Sequence, residues 1–106
     1  MRVQIITFQL QGLSAAEYRE MCSALAKSVS ALPGCLSKIW LEDEASNRYG
    51  GVYVWRDDAA MTAAMASDLM QAVANHPNLS GFETHDFGVL EEPSRVTRGL
   101  PERVPG

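Results

Sequence analysis

The sequence has little of what several classes of protein require. It contains two cysteines in 106 residues, too few for the disulfide framework of a secreted mini-protein, and we expect both thiols to be reduced. Nine basic residues stand against thirteen acidic ones, for a net charge of −4, so we expect no nucleic acid and no membrane surface among its partners. No apolar run suits a signal-peptide core or a membrane span, and we expect a cytoplasmic protein.

Sequence motifs for cofactors are missing as well. Metal sites need three or four convergent ligands, whereas His76 and His85 stand nine residues apart and Cys22 and Cys35 are isolated. There is no Gly-x-Gly-x-x-Gly sequence, no P-loop, and no distinct Ser or Cys nucleophile motif. The sequence therefore predicts that the protein works without a metal, flavin or nucleotide cofactor.

Apolar residues make up 46% of the chain, which is enough for one domain with an ordinary hydrophobic core. Alternation of apolar and polar residues predicts strands over 3–10, 35–42, 49–55 and 82–90. A helix is predicted from the capping box Ser14-Ala-Ala-Glu17 to Pro33-Gly34, and a second from Asp57 or Asp58 to about Ala74. Residues 91–106 are predicted to be extended, with the domain over 1–93 and a C-terminal tail over 94–106.

This order of elements predicts an α+β fold of the ferredoxin-like, βαββαβ kind, with a four-stranded antiparallel sheet and both helices on one face. The strands are apolar on both faces, so the face without helices needs a cover that the chain does not itself provide. We therefore expect a homodimer in which two sheets pack together into a dimeric α/β barrel.

Three short segments carry a family resemblance. The run Leu32-Pro-Gly-Cys-Leu-Ser-Lys-Ile-Trp-Leu-Glu42, followed by Gly50-Gly-Val-Tyr53 and Glu92-Pro-Ser94, resembles the YdhR-type monooxygenases of the dimeric α/β-barrel superfamily. The similarity extends over roughly residues 3–99. Relatives in that superfamily oxidise polycyclic aromatic polyketides without metal or flavin, so the resemblance implies a cofactor-independent monooxygenase acting on an aromatic or polyketide-like small molecule.

Such an enzyme needs a dry pocket lined by aromatic side chains. Trp40, Tyr53 and Trp55 lie on the two strands of the predicted hairpin, and we take them as candidate substrate-binding residues that form an aromatic wall. The alternative is that these three rings only pack in the core or at the dimer interface.

A cofactor-independent monooxygenase also needs a general base and a group that stabilises the phenolate form of the substrate. His85 is the candidate catalytic base, because imidazole ionises near neutral pH, although a lone strand histidine is often structural or solvated. Lys38 is a candidate for binding an anionic substrate. Since Lys38 shares a strand face with Glu42, the alternative is an ion pair across the dimer.

Other functions fit the same fold. One is a non-catalytic dimeric module that binds a hydrophobic ligand, and another is a cyclase or isomerase using the same pocket without oxygen. Haem degradation, also found in the superfamily, requires a side chain presented to iron, for which only His76, His85 and Asn75 can be proposed.

Overall fold

A computed structural model describes residues 1–101 of the chain. Its elements, in chain order, are β1 Arg2–Leu10, α1 Ala15–Ser30, β2 Cys35–Asp43, β3 Arg48–Trp55, α2 Asp58–Met65, α3 Asp68–Ala74, β4 Leu79–Gly88 and α4 Glu91–Val96. No helix in this part of the chain is long and apolar enough to cross a membrane.

The four strands form one antiparallel sheet in the order β2-β3-β1-β4. The predicted ferredoxin-like α+β fold is therefore confirmed. Register places Gln4 opposite Tyr53 and Ile6 opposite Gly51, so alternate residues of β1 and β3 share the face that packs against the helices. The core on that face is a cluster of buried residues: Ile6, Phe8, Tyr18, Val29, Tyr49, Tyr53, Trp55, Ala64, Met70 and Leu79.

The first helix begins and ends as the sequence predicts. Ser14 Oγ accepts a hydrogen bond from the Glu17 amide at 3.1 Å, and the Ser14 amide donates to the Glu17 carboxylate at 3.0 Å. At the other end, Gly34 has φ +78°, and a side chain there would collide with Ala60 on α2. Glycine is therefore required at that turn for conformation and for space.

Three predicted elements differ in the structure. The second predicted helix is two short helices, because Ser67 interrupts it: its hydroxyl donates to the Ala64 carbonyl at 2.6 Å and accepts from the Met70 amide at 3.3 Å. The fourth strand begins at Leu79 rather than 82. Residues 91–96, predicted to be extended, form α4 across the predicted boundary at 93, since proline is tolerated in the first turn of a helix. Residues 102–106 of the predicted tail lie outside the described ones.

The face of the sheet away from α1, α2 and α3, which we call the open face, keeps large apolar side chains in solvent. Ile39 on β2 is 62% exposed and Phe87 on β4 is 54% exposed. Near one end, Val3 and Val54 border a cleft together with the segment around α4. Nothing within residues 1–101 covers the rest of the open face. An exposed apolar surface of this kind is typical of a site where another molecule packs.

Candidate functional site

The most distinctive cluster on the helix-facing side of the sheet is an ammonium group between two aromatic rings. Lys38 Nζ lies 3.4 Å from the centroid of the Trp40 ring and 4.5 Å from that of Tyr53. Both distances are typical of cation–π contacts. The sequence prediction that Trp40 and Tyr53 share a face agrees with the register, in which Lys38 stands opposite Tyr53 and Trp40 opposite Gly51.

Gly51 makes room for the lysine to lie across the sheet. A Cβ at this position would come within 2.5 Å of Lys38 Cε, which is closer than such atoms approach. The neighbouring Gly50, with φ +150°, would place a Cβ against the Ile6 carbonyl oxygen. The paired glycines thus serve two purposes: one allows β1 and β3 to approach closely, and the other accommodates the Lys38 side chain.

Within residues 1–101 the Lys38 amine has no ion pair and no hydrogen bond to a side chain. Glu42, predicted as its neighbour on the strand face, instead accepts both bonds from Arg19 Nε, at 2.9 and 3.0 Å. Burial lowers the pKa of Lys38 from 10.5 to about 8, against the opposing influence of the Cys22 and Cys35 thiols. The amine is therefore poised to exchange a proton near neutral pH.

Both thiols are free and half-buried. Burial raises the pKa of Cys22 and of Cys35, and the positive charge of Lys38 acts against this rise in each. Both groups are accordingly held as neutral thiols at neutral pH. The sequence prediction of reduced cysteines in an apolar setting agrees with this arrangement.

Two surface clefts lie between α1 and β2, on either side of Trp40. The first, which we call the Cys35 cleft, has a volume of about 370 Å³ and is lined by Ala26, Val29, Ser30, Cys35, Leu36, Ser37, Lys38 and Trp40. The second, the Glu42 cleft, has a volume of about 430 Å³ and is lined by Tyr18, Arg19, Cys22, Ser23, Ala26, Trp40, Leu41 and Glu42. Either volume is within the range of small-molecule sites.

Between α1, α3 and the sheet, by contrast, the structure leaves about 40 Å³ of interior space, which Lys38, Trp40 and Tyr53 also line. That is room for one or two water molecules. A planar aromatic compound does not fit there, so the Cys35 and Glu42 clefts are the candidate ligand sites.

Of the three predicted aromatic residues, only Trp40 lines the clefts: Tyr53 is buried, at 4% exposed, and lines neither cleft. The third, Trp55, is also in the core and lines neither cleft. It has no exposed surface, its ring stacks on Tyr53 with centroids 5.3 Å apart, and its Nε1–H donates to Gln4 Oε1 at 2.9 Å. Trp55 therefore packs against the Tyr53 ring and helps to fix its position. Gln4, at 2% exposed the one buried polar residue among residues 1–101, was missed, although a glutamine on the same strand face as Ile6 and Phe8 signals a buried hydrogen bond.

The histidines are not brought together with the lysine cluster. His85 is exposed on the open face, opposite Ile5 in the register, so the sheet separates it from Trp40 within one subunit. His76 lies after α3, where its Nδ1 accepts a hydrogen bond from the Asn78 amide at 3.1 Å, and Asn75 donates to the Gln71 carbonyl at 2.9 Å. The proposed role of His85 as base stays a prediction that no contact within one subunit supports.

Two further residues at the site were not singled out from the sequence. Tyr18 and Cys22 lie one helical turn apart on α1 and line the Glu42 cleft, and burial raises the pKa of the Tyr18 phenol far above its ordinary value. Both belong to the apolar stripe of α1, so the spacing indicated burial only. As for metals, no group of three His, Cys, Asp or Glu side chains among residues 1–101 is placed to hold an ion.

Several solved structures share the fold of this chain. Similar solved structures include a "putative antibiotic biosynthesis monooxygenase" from Deinococcus radiodurans, with 21% identity, 86% of this chain and 94% of that chain covered, and a TM-score of 0.69. SnoaB from Streptomyces nogalater, a cofactor-independent oxygenase, has 22% identity, 85% and 93% coverage, and a TM-score of 0.67. The heme-degrader MhuD from Mycobacterium tuberculosis, solved with two hemes in its active site, has 24% identity, 87% and 98% coverage, and a TM-score of 0.68.

The particular family follows from the sequence. The model of the family described as "Putative mono-oxygenase ydhR" matches residues 3–100, and the chain belongs to that family. No curated protein matches the chain. Because the solved structures are less than 25% identical, their likeness establishes the fold, and their ligands and reactions are theirs alone.

Proposed function

We propose that this protein is a cofactor-independent monooxygenase whose aromatic substrate lies in the Cys35 cleft against Trp40. The observation that carries the proposal is Lys38: its side chain lines this cleft, its amine lies on the Trp40 and Tyr53 rings, and it has no ion-pair partner within residues 1–101. An unpaired cation beside aromatic surface suits a flat, electron-rich substrate that becomes an anion during the reaction.

Lys38 supplies the acid–base chemistry in this proposal. Its neutral amine takes the proton of a phenol or anthrone, and the ammonium so formed stabilises the resulting phenolate. The anion then reduces oxygen directly: one oxygen atom enters the substrate, and the other leaves as water together with two hydrogens from the substrate. Lys38 thus takes the role that the sequence suggested for His85, because His85 lies across the sheet.

Oxygen consumption tests this proposal. The protein, in metal-free buffer, is given a panel of hydroquinones and anthrones, and oxygen uptake is followed together with the product mass, which shows whether one oxygen atom has entered the substrate. We expect Lys38→Met to lower kcat by at least tenfold, whereas His85→Gln keeps it. Absence of enzyme-dependent uptake with every compound would refute the oxygenase. If His85→Gln loses activity and Lys38→Met keeps it, the general base is His85 on the open face.

A non-catalytic binding module is the second candidate, and one observation favours it. The Cys35 cleft is bordered by Ala26 and Ser30, both exposed, so water reaches the space where a reactive anion would form. A ligand that binds and is recovered unchanged, without oxygen uptake, would support the module. A product of unchanged mass, formed without oxygen, would indicate the cyclase or isomerase instead.

We also propose that the protein acts as a homodimer through the open face. A second copy offers an equally apolar sheet for Ile39 and Phe87 to pack against, and a twofold arrangement pairs the same patch on both subunits. Two free thiols agree with a reducing compartment, and we place the protein in the cytoplasm.

A further inference from the structure

Lys38 is one of two lysines in the chain, and it lines the Cys35 cleft, whereas Lys27 lines neither the Cys35 cleft nor the Glu42 cleft. We propose that Lys38 is also a covalent binding site for carbonyl compounds, forming a Schiff base with a flat aromatic aldehyde or ketone that enters the Cys35 cleft. This activity does not depend on oxygen, so it goes beyond the proposed monooxygenase.

Geometry provides the first support. The side chain is held over Gly51 with Nζ against the Trp40 ring, so the amine has a fixed position on that ring rather than a free range in solvent. Trp40 borders the cleft beside the amine, and a flat aromatic group can pack along it. Reactants held in place react faster than reactants that meet by diffusion.

Electrostatics provides the second support. A lysine paired with a carboxylate keeps its proton and is a poor nucleophile, but Lys38 has no such partner within residues 1–101. Burial lowers its pKa to about 8, so about one amine in ten is neutral at pH 7. A desolvated lysine in an apolar pocket is the usual setting for Schiff-base formation.

The reaction balances without any cofactor. The Nζ lone pair attacks the carbonyl carbon, the C–N bond forms, and the C=O double bond opens to give a carbinolamine. The carbinolamine loses its hydroxyl and the remaining nitrogen proton as water, which leaves the imine. No oxidant or reductant is consumed, and hydrolysis reverses the sequence. Cys22 and Cys35 can add to aldehydes too, but borohydride does not fix such hemithioacetals.

Reductive trapping tests the inference. The full-length protein is incubated at pH 7.5 with 2-naphthaldehyde and sodium cyanoborohydride under nitrogen, and the adducts are assigned by peptide mass mapping. Lys27, exposed on α1, and the Met1 amine are internal references. We expect Lys38 to be labelled at least ten times faster than Lys27, and propanal to show a much smaller preference. Equal labelling of the two lysines, or an equal preference with propanal, would overturn the inference.

Variants provide matched controls. Lys38→Arg should abolish the fast adduct and leave the slow label on Lys27, whereas Lys27→Arg should leave the fast adduct intact. Gly51→Ala keeps both amines but displaces the Lys38 side chain, so labelling should fall at least fivefold if position matters. Melting temperatures are measured for each variant. Unchanged labelling in a folded Gly51→Ala protein would show that the fixed position of the amine contributes nothing.

The two proposals fail separately. Trapping runs without oxygen, so a selective adduct without oxygen uptake on any substrate leaves the carbonyl site and removes the monooxygenase. Lysine-dependent oxygen uptake without a selective adduct does the reverse.

Discussion

The charge on Lys38 can be tested through the stability of the protein. The pKa of the amine is about 8 in the folded chain and near 10.5 when solvated. Below pH 8 the lysine is charged in both states, and the folded state bears the cost of burying it. Between pH 8 and pH 10.5 the amine is neutral in the folded state and charged in the unfolded state, so unfolding takes up a proton. Raising the pH in this range therefore stabilises the folded state. Above pH 10.5 the amine is neutral in both states.

The magnitude follows from these values. Each pH unit of difference corresponds to about 1.4 kcal/mol, which gives an upper limit of about 3 kcal/mol. Partial exposure of the side chain and the attraction of the Trp40 and Tyr53 rings reduce this to about 1–2 kcal/mol. Lys38→Met removes the charge and keeps most of the length of the side chain. We therefore expect the variant to be more stable than the wild type by about 1–2 kcal/mol at pH 7.

Urea unfolding at fixed protein concentration, at pH 7, 8, 9 and 10, measures this difference directly. The excess stability of Lys38→Met should shrink steadily as the pH rises from 8 towards 10. Lys27→Met, at an exposed position on α1, is the control and should show no such trend. A Lys38→Met protein that is less stable at pH 7, or an excess independent of pH, would refute the assignment of a buried, unpaired charge.

The remaining predictions concern the rings, the assembly and the cofactors. Trp55→Phe should lower the free energy of unfolding by about 2–4 kcal/mol, because it leaves a gap and an unpaired Gln4 oxygen, whereas Trp40→Phe should keep most of the stability and weaken binding of planar aromatic acids by calorimetry. Tyr53 lines neither cleft, so Tyr53→Phe, titrated by tryptophan quenching, tests whether its hydroxyl nevertheless contacts the ligand, and unchanged affinity in both variants would remove Trp40 and Tyr53 from the site. Light scattering at micromolar concentration should give twice 11.6 kDa, and a monomer mass would contradict the dimer. Purified protein should lack stoichiometric metal by elemental analysis and show no flavin spectrum.

Local patterns predicted most of the fold. Period-two alternation located the strands, and the Ser14–Glu17 capping box gave the start of α1 because its two hydrogen bonds are local. The errors arose where local signals are weak or ambiguous. Ser67 lies in an alanine-rich stretch without Gly or Pro, so no helix-breaking residue in the sequence marks the break between α2 and α3. Gly81, with φ +63°, obscured the start of β4, and the prediction that residues 91–106 are extended was wrong for 91–96, where Pro93 lies in the first turn of α4.

The site was harder to predict because it depends on register. Alternation along β2 places Lys38 and Trp40 on one face, and the hairpin adds Tyr53. The position of His85 relative to them requires the pairing of β4 with β1 and of β1 with β3, which no single strand encodes. The path of Lys38 across Gly51 depends on a missing side chain on a neighbouring strand, so composition and spacing gave no sign of it.

The hydrogen bond between Trp55 and Gln4 also limits how the sheet can be assembled. Shifting β1 by one residue against β3 would turn Gln4 to the open face, and shifting it by two in the direction that brings Gln4 opposite Gly51 would carry the amide away from the indole. Each of these errors leaves a buried polar group unpaired, at a cost of about 1–3 kcal/mol per group. Valine and isoleucine contacts elsewhere in these strands discriminate poorly between a correct register and one displaced by two residues. One polar pair in an apolar layer therefore disfavours both of these misalignments of β1 and β3 within a single chain.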